Sequence, residues 1–395
     1  MNRQKRISII GGAGHVGFPL GLVFGSKNFK VNLIDKNLEF LNKIGNGTTP
    51  FLEEGSEKLL KNVIKKKNII ISTNLRDISK SKYIIICIGT PVSTKLNPKL
   101  YSFLNFFKNL KNHLKKDHVV IIRSSVYPGI CGKIYNIIKE KCKNLSYCPE
   151  RIVQGQAIKE LPNLPQLVSG FNEYSKKQSG NLFKTICKKI IYTEILEAEL
   201  IKLFSNAYRY IHFSISNQFY MICKKENLNF EKVRQIMRDG YSRNTNVPSS
   251  GFSAGPCLLK DTMQLSSFYN HKLPLGYSAM KINQGMPKFI IKELEKKYDL
   301  KKKTIGLLGL AFKAETDDIR DSLAIELLKI LKSKKIKTLA SDEYYKEKSH
   351  VNKNQLIKKS DIIILSTPHK VYKRLKISKN KVLVDIWGFF DSKKK

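Results

Sequence analysis

The stretch Ile7-Ser8-Ile9-Ile10-Gly11-Gly12-Ala13-Gly14-His15-Val16-Gly17 decides the fold of the first part of the chain. A short apolar run is followed at once by glycines and then by a helical segment, which is the pattern of a strand, a tight turn and a helix. The glycines permit the close approach of a pyrophosphate, whose charge would meet the helix N-terminus. We therefore predict that the cofactor-binding residues of this turn are Gly12, Gly14, His15, Val16 and Gly17.

Asp35 supports this interpretation, because it lies at the end of the next apolar run. A carboxylate at that place accepts both hydroxyls of a ribose and repels a 2′-phosphate, so NAD is predicted rather than NADP. The neighbouring Lys36 weakens that repulsion. A glycine-rich turn that holds no ligand is the alternative.

The rest of the chain indicates an α/β protein with two Rossmann-like α/β domains. Apolar runs of strand length alternate with helical segments, which favours parallel sheets covered on both faces. The predicted strands are 7–10, 31–34, 68–71, 83–86 and 119–122 in the first part, and 304–308, 337–340, 361–365 and 382–384 in the last. The expected domains are an NAD-binding domain over 1–193, a helical domain that carries the Cys257 loop over 194–299 and a second α/β domain over 300–395.

A long central helix is predicted over 194–226, where no Gly or Pro interrupts the helical spacing of apolar residues. Such a helix joins the two sheet domains, and further helices are expected up to Tyr298. Long, partly apolar helices commonly pair across a two-fold axis, so we expect a homodimer.

Composition excludes several classes of protein. Apolar residues make up 42% of the 395 residues, enough for well-filled cores, and no run approaches the ~20 apolar residues of a membrane span. The net charge is +40, but the lysines are scattered and are not interleaved with aromatic residues, so no specific nucleic-acid partner is expected. Seven dispersed cysteines indicate neither a metal site nor disulfides, and with no signal peptide they predict a cytoplasmic protein.

Two further motifs carry candidate chemistry. Cys257 follows Gly-Pro in a loop, and Asp261 would lie one helical turn away if a helix begins there, close enough to handle protons. Lys202 and Asn206 share one face of the long helix with Glu199, and an ammonium beside an amide can stabilise an oxyanion. Taken alone, a buried structural cysteine and a solvated helix face remain the alternatives.

Together these motifs resemble the nucleotide-sugar 6-dehydrogenases, the UDP-glucose and UDP-N-acetylmannosamine/glucosamine dehydrogenases. The resemblance runs from about Ile7 to Gly388 and also includes the segments 87–91 (Cys-Ile-Gly-Thr-Pro), 123–129 (Arg-Ser-Ser-Val-Tyr-Pro-Gly), 148–151 (Cys-Pro-Glu-Arg), 309–313 (Gly-Leu-Ala-Phe-Lys) and 316–322 (Thr-Asp-Asp-Ile-Arg-Asp-Ser). It favours the functional interpretation of Cys257 and Lys202 over the structural one.

The resemblance implies a reaction. Members of the family oxidise the primary alcohol at C6 of the sugar to a carboxylate in two hydride transfers, with two NAD consumed. It implies that Cys257 captures the aldehyde as a thiohemiacetal. Lys202 and Asn206 would stabilise the oxyanion, and Asp261 would share with Lys202 the removal of the hydroxyl proton. Ser125 would hold the hydrolytic water, and Glu150 would be its general base.

The resemblance also implies binding residues. It places Thr90, Ser125 and Arg320 at the cofactor. It makes 300–395 a UDP-sugar-binding α/β domain. The residues that it places at the nucleotide-sugar are Glu150, Arg151, Lys202, Asn206, Gly251, Phe312 and Lys313.

Two departures from the family's patterns leave the identity of the sugar open. Gln154 stands where UDP-glucose enzymes have a second glutamate, and Arg151 resembles the branch acting on N-acetylated sugars. The Gly-Pro-Cys-Leu-Leu-Lys-Asp stretch at 255–261 differs from the form common in that branch. A UDP-N-acetylhexosamine is expected, with UDP-glucose as the alternative.

Two other functions fit parts of the pattern. A non-catalytic dinucleotide-binding sensor would not need Cys257, Lys202, Asn206 and Asp261 together, and a dehydrogenase of one hydride transfer would not need Cys257.

Overall fold

The computed structural model describes residues 5–90, 92, 99–253 and 255–390. The chain forms two compact units, Met1–Ser205 and Asn206–Lys395, and the division falls inside one long helix.

The N-terminal unit is built on an eight-stranded sheet of order β3-β2-β1-β4-β5-β6-β7-β8. Its strands are β1 (Arg6–Ile10), β2 (Lys30–Ile34), β3 (Ile69–Ser72), β4 (Tyr83–Ile86), β5 (Val119–Ile122), β6 (Leu145–Tyr147), β7 (Gln166–Gly170) and β8 (Ile190–Tyr192). The first six have the order 3-2-1-4-5-6 of a dinucleotide-binding sheet and are all parallel. β7 then pairs antiparallel to β6, which reverses the chain direction at this side of the sheet.

Helices cover both faces of this sheet. They are α1 (Gly17–Ser26), α2 (Leu38–Gly45), α3 (Ser56–Lys65), α4 (Leu100–Lys111), α5 (Ile130–Ile138), α6 (Ala157–Glu160), α7 (Glu173–Lys184) and the start of α8 (Ile195–Lys225). On β4, Ile85 belongs to one apolar cluster and Ile84 and Ile86 to another. Because successive strand residues point to opposite faces, both faces are buried, as predicted for a parallel sheet.

The C-terminal unit contains a second sheet, which is parallel throughout and has the order β10-β9-β11-β12. Its strands are β9 (Ile305–Leu308), β10 (Thr338–Ser341), β11 (Ile362–Leu365) and β12 (Val382–Asp385). Its helices are the rest of α8, then α9 (Phe230–Arg238), α10 (Leu258–Phe268), α11 (Pro274–Glu295), α12 (Leu323–Ser333) and α13 (Lys353–Lys359). The predicted α/β class is confirmed, with a mainly parallel first sheet, a parallel second sheet and a helical middle.

The central helix α8 begins and ends within one residue of the predicted 194–226. The division of the chain into three domains at 193 and 299 stays a prediction. Within the described residues, no helix is both long and apolar enough to cross a membrane.

Candidate active site

The glycine turn after β1 is shaped for a ligand at one position and for packing at another. A Cβ on Gly12 would lie 2.8 Å from the Leu33 Cα on β2, so this glycine is required by the neighbouring strand. A Cβ on Gly14 would meet, among the described residues, only the Gly11 carbonyl oxygen, at 3.5 Å. Since ordinary van der Waals contact would accommodate a side chain at Gly14, the space it leaves is available to a bound group.

The N-terminus of α1 is open to an anion. Its N-cap residue, Val16, supplies no side-chain hydrogen bond to the first turn. The backbone N–H groups there, together with the helix dipole, suit a phosphate. The ring of His15, the residue before, is tilted against the Phe51 ring, and the two ring centroids lie 3.9 Å apart.

Asp35 lies directly after β2, and its carboxylate closes the turn. Oδ2 accepts the Ala13 amide at 3.0 Å and Oδ1 accepts the Asn37 amide at 3.0 Å. The side chain is only half-buried, so each oxygen keeps a lone pair for a ribose hydroxyl. The residues of this turn therefore fit NAD, which accepts hydride when it is bound.

Three more candidate segments follow neighbouring strands of the same sheet. Thr90 follows β4, Ser125 follows β5, and Glu150 with Arg151 follows β6. Because β1, β4, β5 and β6 are parallel, these segments lie at one edge with the glycine turn, where open α/β sheets bind ligands.

Glu150 is held by charge and by backbone. Its Oε2 accepts from Arg123, and its Oε1 accepts the amides of Arg151 at 2.7 Å and Ile152 at 3.0 Å. The Arg151 guanidinium donates to the Pro165 carbonyl, so this side chain is tied to its own loop. Arg123 was not singled out from the sequence, although it stands inside a segment that carried the resemblance.

The helix α8 carries Lys202 and Asn206 one turn apart, on either side of the division between the units. Glu199 does not join them as sequence analysis suggested. Its buried carboxylate accepts the amides of Gly129 at 2.6 Å and Cys131 at 3.0 Å and thereby caps α5. Burial raises the pKa of Glu199 above its ordinary value.

The nucleophile candidate lies at a helix start, as the sequence suggested. Cys257 is exposed and is the N-cap residue of α10, where the helix dipole favours a thiolate. Hydrogen bonding to Asp318 raises the pKa of Arg320, and Cys257 contributes to the same shift, which places the thiol in electrostatic range of this guanidinium. The arrangement suits a thiolate.

Asp261 lies one turn into α10 and is fully buried. Its Oδ2 accepts the Asn206 amide nitrogen at 2.6 Å, which joins two candidate residues within the C-terminal unit. Its Oδ1 has no hydrogen-bond partner among the described residues, and the Lys260 ammonium lies 3.6 Å away. This oxygen is available to a water or to a substrate proton.

The loop that carries Cys257 packs on the segment that carries the other candidates of this unit. A Cβ on Gly255 would overlap the Phe312 ring, and the Gly255 amide donates to the Asp321 carbonyl at 3.3 Å. A Cβ on Gly251 would overlap the Trp387 ring, so packing requires a glycine at this position. Phe312 and Lys313 are half-buried at the start of the segment.

Asp342, after β10, is a buried acid that the sequence analysis missed. It accepts the amides of Leu310 at 2.5 Å and Tyr344 at 2.8 Å and lies 3.1 Å from His369 Nε2. Burial alone would raise its pKa, but the hydrogen bonds from His369 and the backbone outweigh burial and hold the pKa well below its usual range. The signal in the sequence was an aspartate just after a predicted strand, as at Asp35.

Comparisons with known proteins identify the family of the chain. Models of the UDP-glucose/GDP-mannose dehydrogenase family match the chain as the NAD binding domain over residues 5–191, the central domain over 196–285 and the UDP binding domain over 306–392.

Relatives over nearly the whole length include two kinds of dehydrogenase. The UDP-N-acetyl-D-mannosamine dehydrogenase of Pyrococcus horikoshii is 25% identical over 96% of this chain and 94% of its own. The UDP-glucose 6-dehydrogenase of Rickettsia prowazekii is 26% identical over 96% of this chain and 95% of its own.

A solved structure shares the fold. The UDP-D-ManNAc dehydrogenase structure from Pyrococcus horikoshii has a TM-score of 0.88 at 24% identity and covers 97% of this chain and 96% of its own. The predicted family and the predicted cofactor NAD are confirmed. The chain is therefore an NAD-dependent oxidoreductase that belongs to the UDP-glucose/GDP-mannose dehydrogenase family.

Proposed function

We propose that this protein oxidises the C6 hydroxyl of a UDP-N-acetylhexosamine, such as UDP-ManNAc or UDP-GlcNAc, to a carboxylate with two NAD. The observation that carries the chemistry is the position of Cys257 at the N-terminus of α10. One turn further along the same helix is Asp261, which is buried and accepts a hydrogen bond from Asn206 of α8. A sensor or an enzyme of one hydride transfer has no use for that arrangement.

In the first oxidation a base removes the hydroxyl proton while C6 gives up hydride. Asp261 Oδ1 suits the proton, directly or through water, because it is buried and has no hydrogen-bond partner among the described residues. Lys202, only 9% exposed, suits the developing alkoxide as a cation.

The second oxidation needs a covalent step. The Cys257 thiolate adds to the aldehyde carbon, and the thiohemiacetal then gives up the second hydride and becomes a thioester. Water adds to the thioester, the C–S bond breaks, the thiolate leaves, and the carboxylate is released. Ser125 and Glu150 are proposed to hold and deprotonate that water.

Binding residues are proposed from the same positions. Gly12, Gly14, Gly17 and Asp35 hold NAD, with Thr90 and Arg320 at its edges. Arg151, Gly251, Phe312 and Lys313 are proposed to contact the nucleotide-sugar.

The choice of an N-acetylated sugar rests on two observations. Arg151 and Gln154 replace features of the UDP-glucose branch, and several relatives, including the one from Methanococcus maripaludis at 27% identity, are UDP-N-acetyl-D-mannosamine dehydrogenases. The glucose alternative is favoured by the Gly-Pro-Cys stretch at 255–257.

The test is NADH release against a panel of UDP-sugars, followed by single-turnover stoichiometry with the best substrate. We expect two NADH per sugar. Cys257→Ser should retain substrate binding and stall after one hydride transfer, or stop at a slowly hydrolysed ester, because a serine hydroxyl stays protonated at neutral pH. Two NADH per sugar at an unaltered rate from this variant would contradict the thioester mechanism.

We also propose a homodimer that forms through α8. An exposed apolar stripe runs along this helix at spacings of four, seven, four and three residues, and its members are Phe204, Tyr208, Ile215, Phe219 and Ile222. Large exposed patches of this kind mark interfaces. Light scattering should give twice the 45.3 kDa of one chain, and Ile215→Glu should shift the protein toward the monomer.

The proposed place of action is the cytoplasm. The seven cysteines form no disulfide among the described residues, as expected in a reducing compartment.

A further inference from the structure

Arg123 is a fully buried cation at the carboxyl end of β5. Its Nη1 donates to the Cys148 carbonyl at 3.2 Å and to Gln166 Oε1 at 2.9 Å, while its Nη2 donates to Glu150. The guanidinium also lies 4.8 Å from the centroid of the Phe183 ring. Its plane is therefore fixed by the segment after β6, by β7 and by the helix α7.

These contacts leave Glu150 one orientation. A carboxylate offers about four lone-pair sites. Two amides occupy Oε1 and Arg123 occupies one site of Oε2, so one site remains. The side chain is 11% exposed, which is enough for this one direction to reach a small molecule.

Besides Glu150, the charge of Arg123 acts on three buried thiols, whose pKa it lowers less than burial raises it. Cys87, Cys148 and Cys187 are the other titratable neighbours, and burial raises their pKa to about 12, about 12 and about 11. These thiols are neutral in the working range. A buried ion pair is weak evidence for stability, since an apolar pair of the same size is often as stable, so a functional reason for the pair is called for.

We propose that Arg123 is a positioning residue that holds Glu150 in one orientation, with one lone pair open to take the proton of the water that hydrolyses the Cys257 thioester. This rests on the proposed function. The water oxygen bonds to the thioester carbon, its proton passes to Glu150 and then to solvent, and the sulfur leaves as thiolate. In this scheme Arg123 acts on the water only through Glu150.

The test compares Arg123→Met and Arg123→Lys with the unmodified protein in rapid-mixing experiments. Arg123→Met should still release two NADH in the first turnover, then slow about 100-fold in the steady state, the size expected for a misplaced general base. Intact-mass measurement should show the sugar adduct on the protein. Arg123→Lys should hydrolyse the thioester at an intermediate rate, because it keeps the positive charge but loses the planar guanidinium that donates through two nitrogens.

The comparison of burst and steady state separates this role from a structural one. A general loss of structure would lower the first-turnover burst and the steady-state rate together, whereas a misplaced Glu150 should lower only the steady-state rate.

Lys82→Met is the matched control. Lys82 also donates to a backbone carbonyl, that of Asp117 at 2.7 Å, and lies 5.3 Å from an aromatic centroid, that of Tyr174. It precedes β4 and so lies at the opposite edge of the same sheet. It should lose stability without accumulating an adduct.

The outcomes are separable. If the unmodified protein does not give two NADH per sugar, the proposed function fails. If it does, and Arg123→Met hydrolyses at an unaltered rate or loses burst and steady state equally, the role of Arg123 is overturned. If Arg123→Met does not fold, Arg123→Lys decides, and unaltered hydrolysis there overturns the inference.

Discussion

The turns after β1 and after β9 are built alike, although one belongs to each unit. Gly11 donates to the Ile34 carbonyl at 2.9 Å, and Gly309 donates to the Ser341 carbonyl at 2.8 Å. In both turns an alanine amide two residues on reaches a carboxylate at 3.0 Å, that of Asp35 or Asp342. Each acid follows the second strand of its sheet.

The two turns differ in what they leave unsatisfied. Asp35 is half-buried and accepts two amides, whereas Asp342 is buried and accepts four amides and the His369 imidazole. The helix α1 begins without a side-chain cap, whereas α12 begins with Ser322, whose hydroxyl accepts the Ala324 amide at 3.2 Å. The same backbone turn thus forms a ligand site after β1, where lone pairs and N–H groups stay open. After β9 it forms a structural corner, where these groups are hydrogen-bonded within the protein.

The largest effect on stability is expected in the turn after β9, where Asp342 is buried. Asp342→Asn sets an NH₂ group against backbone donors and should lower the free energy of unfolding by about 3–5 kcal/mol at pH 7. Because the folded pKa of Asp342 is lowered, its contribution is present above about pH 4 and is lost as pH falls. Denaturant unfolding of both proteins from pH 7 to pH 3 measures this; a difference that stayed constant to pH 3 would contradict it.

Substitution of two glycines in the turn after β1 should separate effects on stability from effects on NAD binding. Gly12→Ala should lower the free energy of unfolding by about 1–3 kcal/mol, because its Cβ meets Leu33 backbone. Gly14→Ala should leave unfolding unaltered and weaken NAD binding by a similar free energy. Thermal unfolding and NAD titration of both variants are the measurement, and equal effects on both quantities would argue against an open site at Gly14.

A smaller effect is expected at the open carboxylate. Asp35→Asn removes a charged acceptor for ribose hydroxyls, so the Kd for NAD should rise about tenfold, while NADP should bind better relative to NAD. Lys36→Ala is the control for the neighbouring charge. Comparable catalytic efficiency with NADP in the unmodified protein would refute the assignment.

The smallest effect concerns the helix cap. Ser322→Ala should cost about 1 kcal/mol of folding free energy, with Ser322→Thr restoring most of it. NAD binding should not change in either variant. An altered NAD affinity would show that the second turn has a role in the cofactor site.

Much of the fold could be predicted because its signals are local. The strands 83–86 and 119–122 were predicted to the residue, since each is an apolar run. β6 and β7 were missed because they carry polar residues such as Ser146, Gln166 and Ser169, and β8 was missed because it has only three residues.

The candidate site was predictable in part. Asp35 and Cys257 stand beside motifs that are visible in the sequence. The pair of Arg123 and Glu150 was not, because a contact 27 residues apart depends on β5 and β6 being neighbours.

The mutual packing of Gly255 and Phe312 has a consequence for recombination between relatives. A chimaera that imports the Cys257 loop from another member, without the segment that begins at Phe312, would place two surfaces together that did not evolve as partners. Exchange of sugar preference by grafting should therefore move both segments as one block, joined outside residues 251–261 and 309–322.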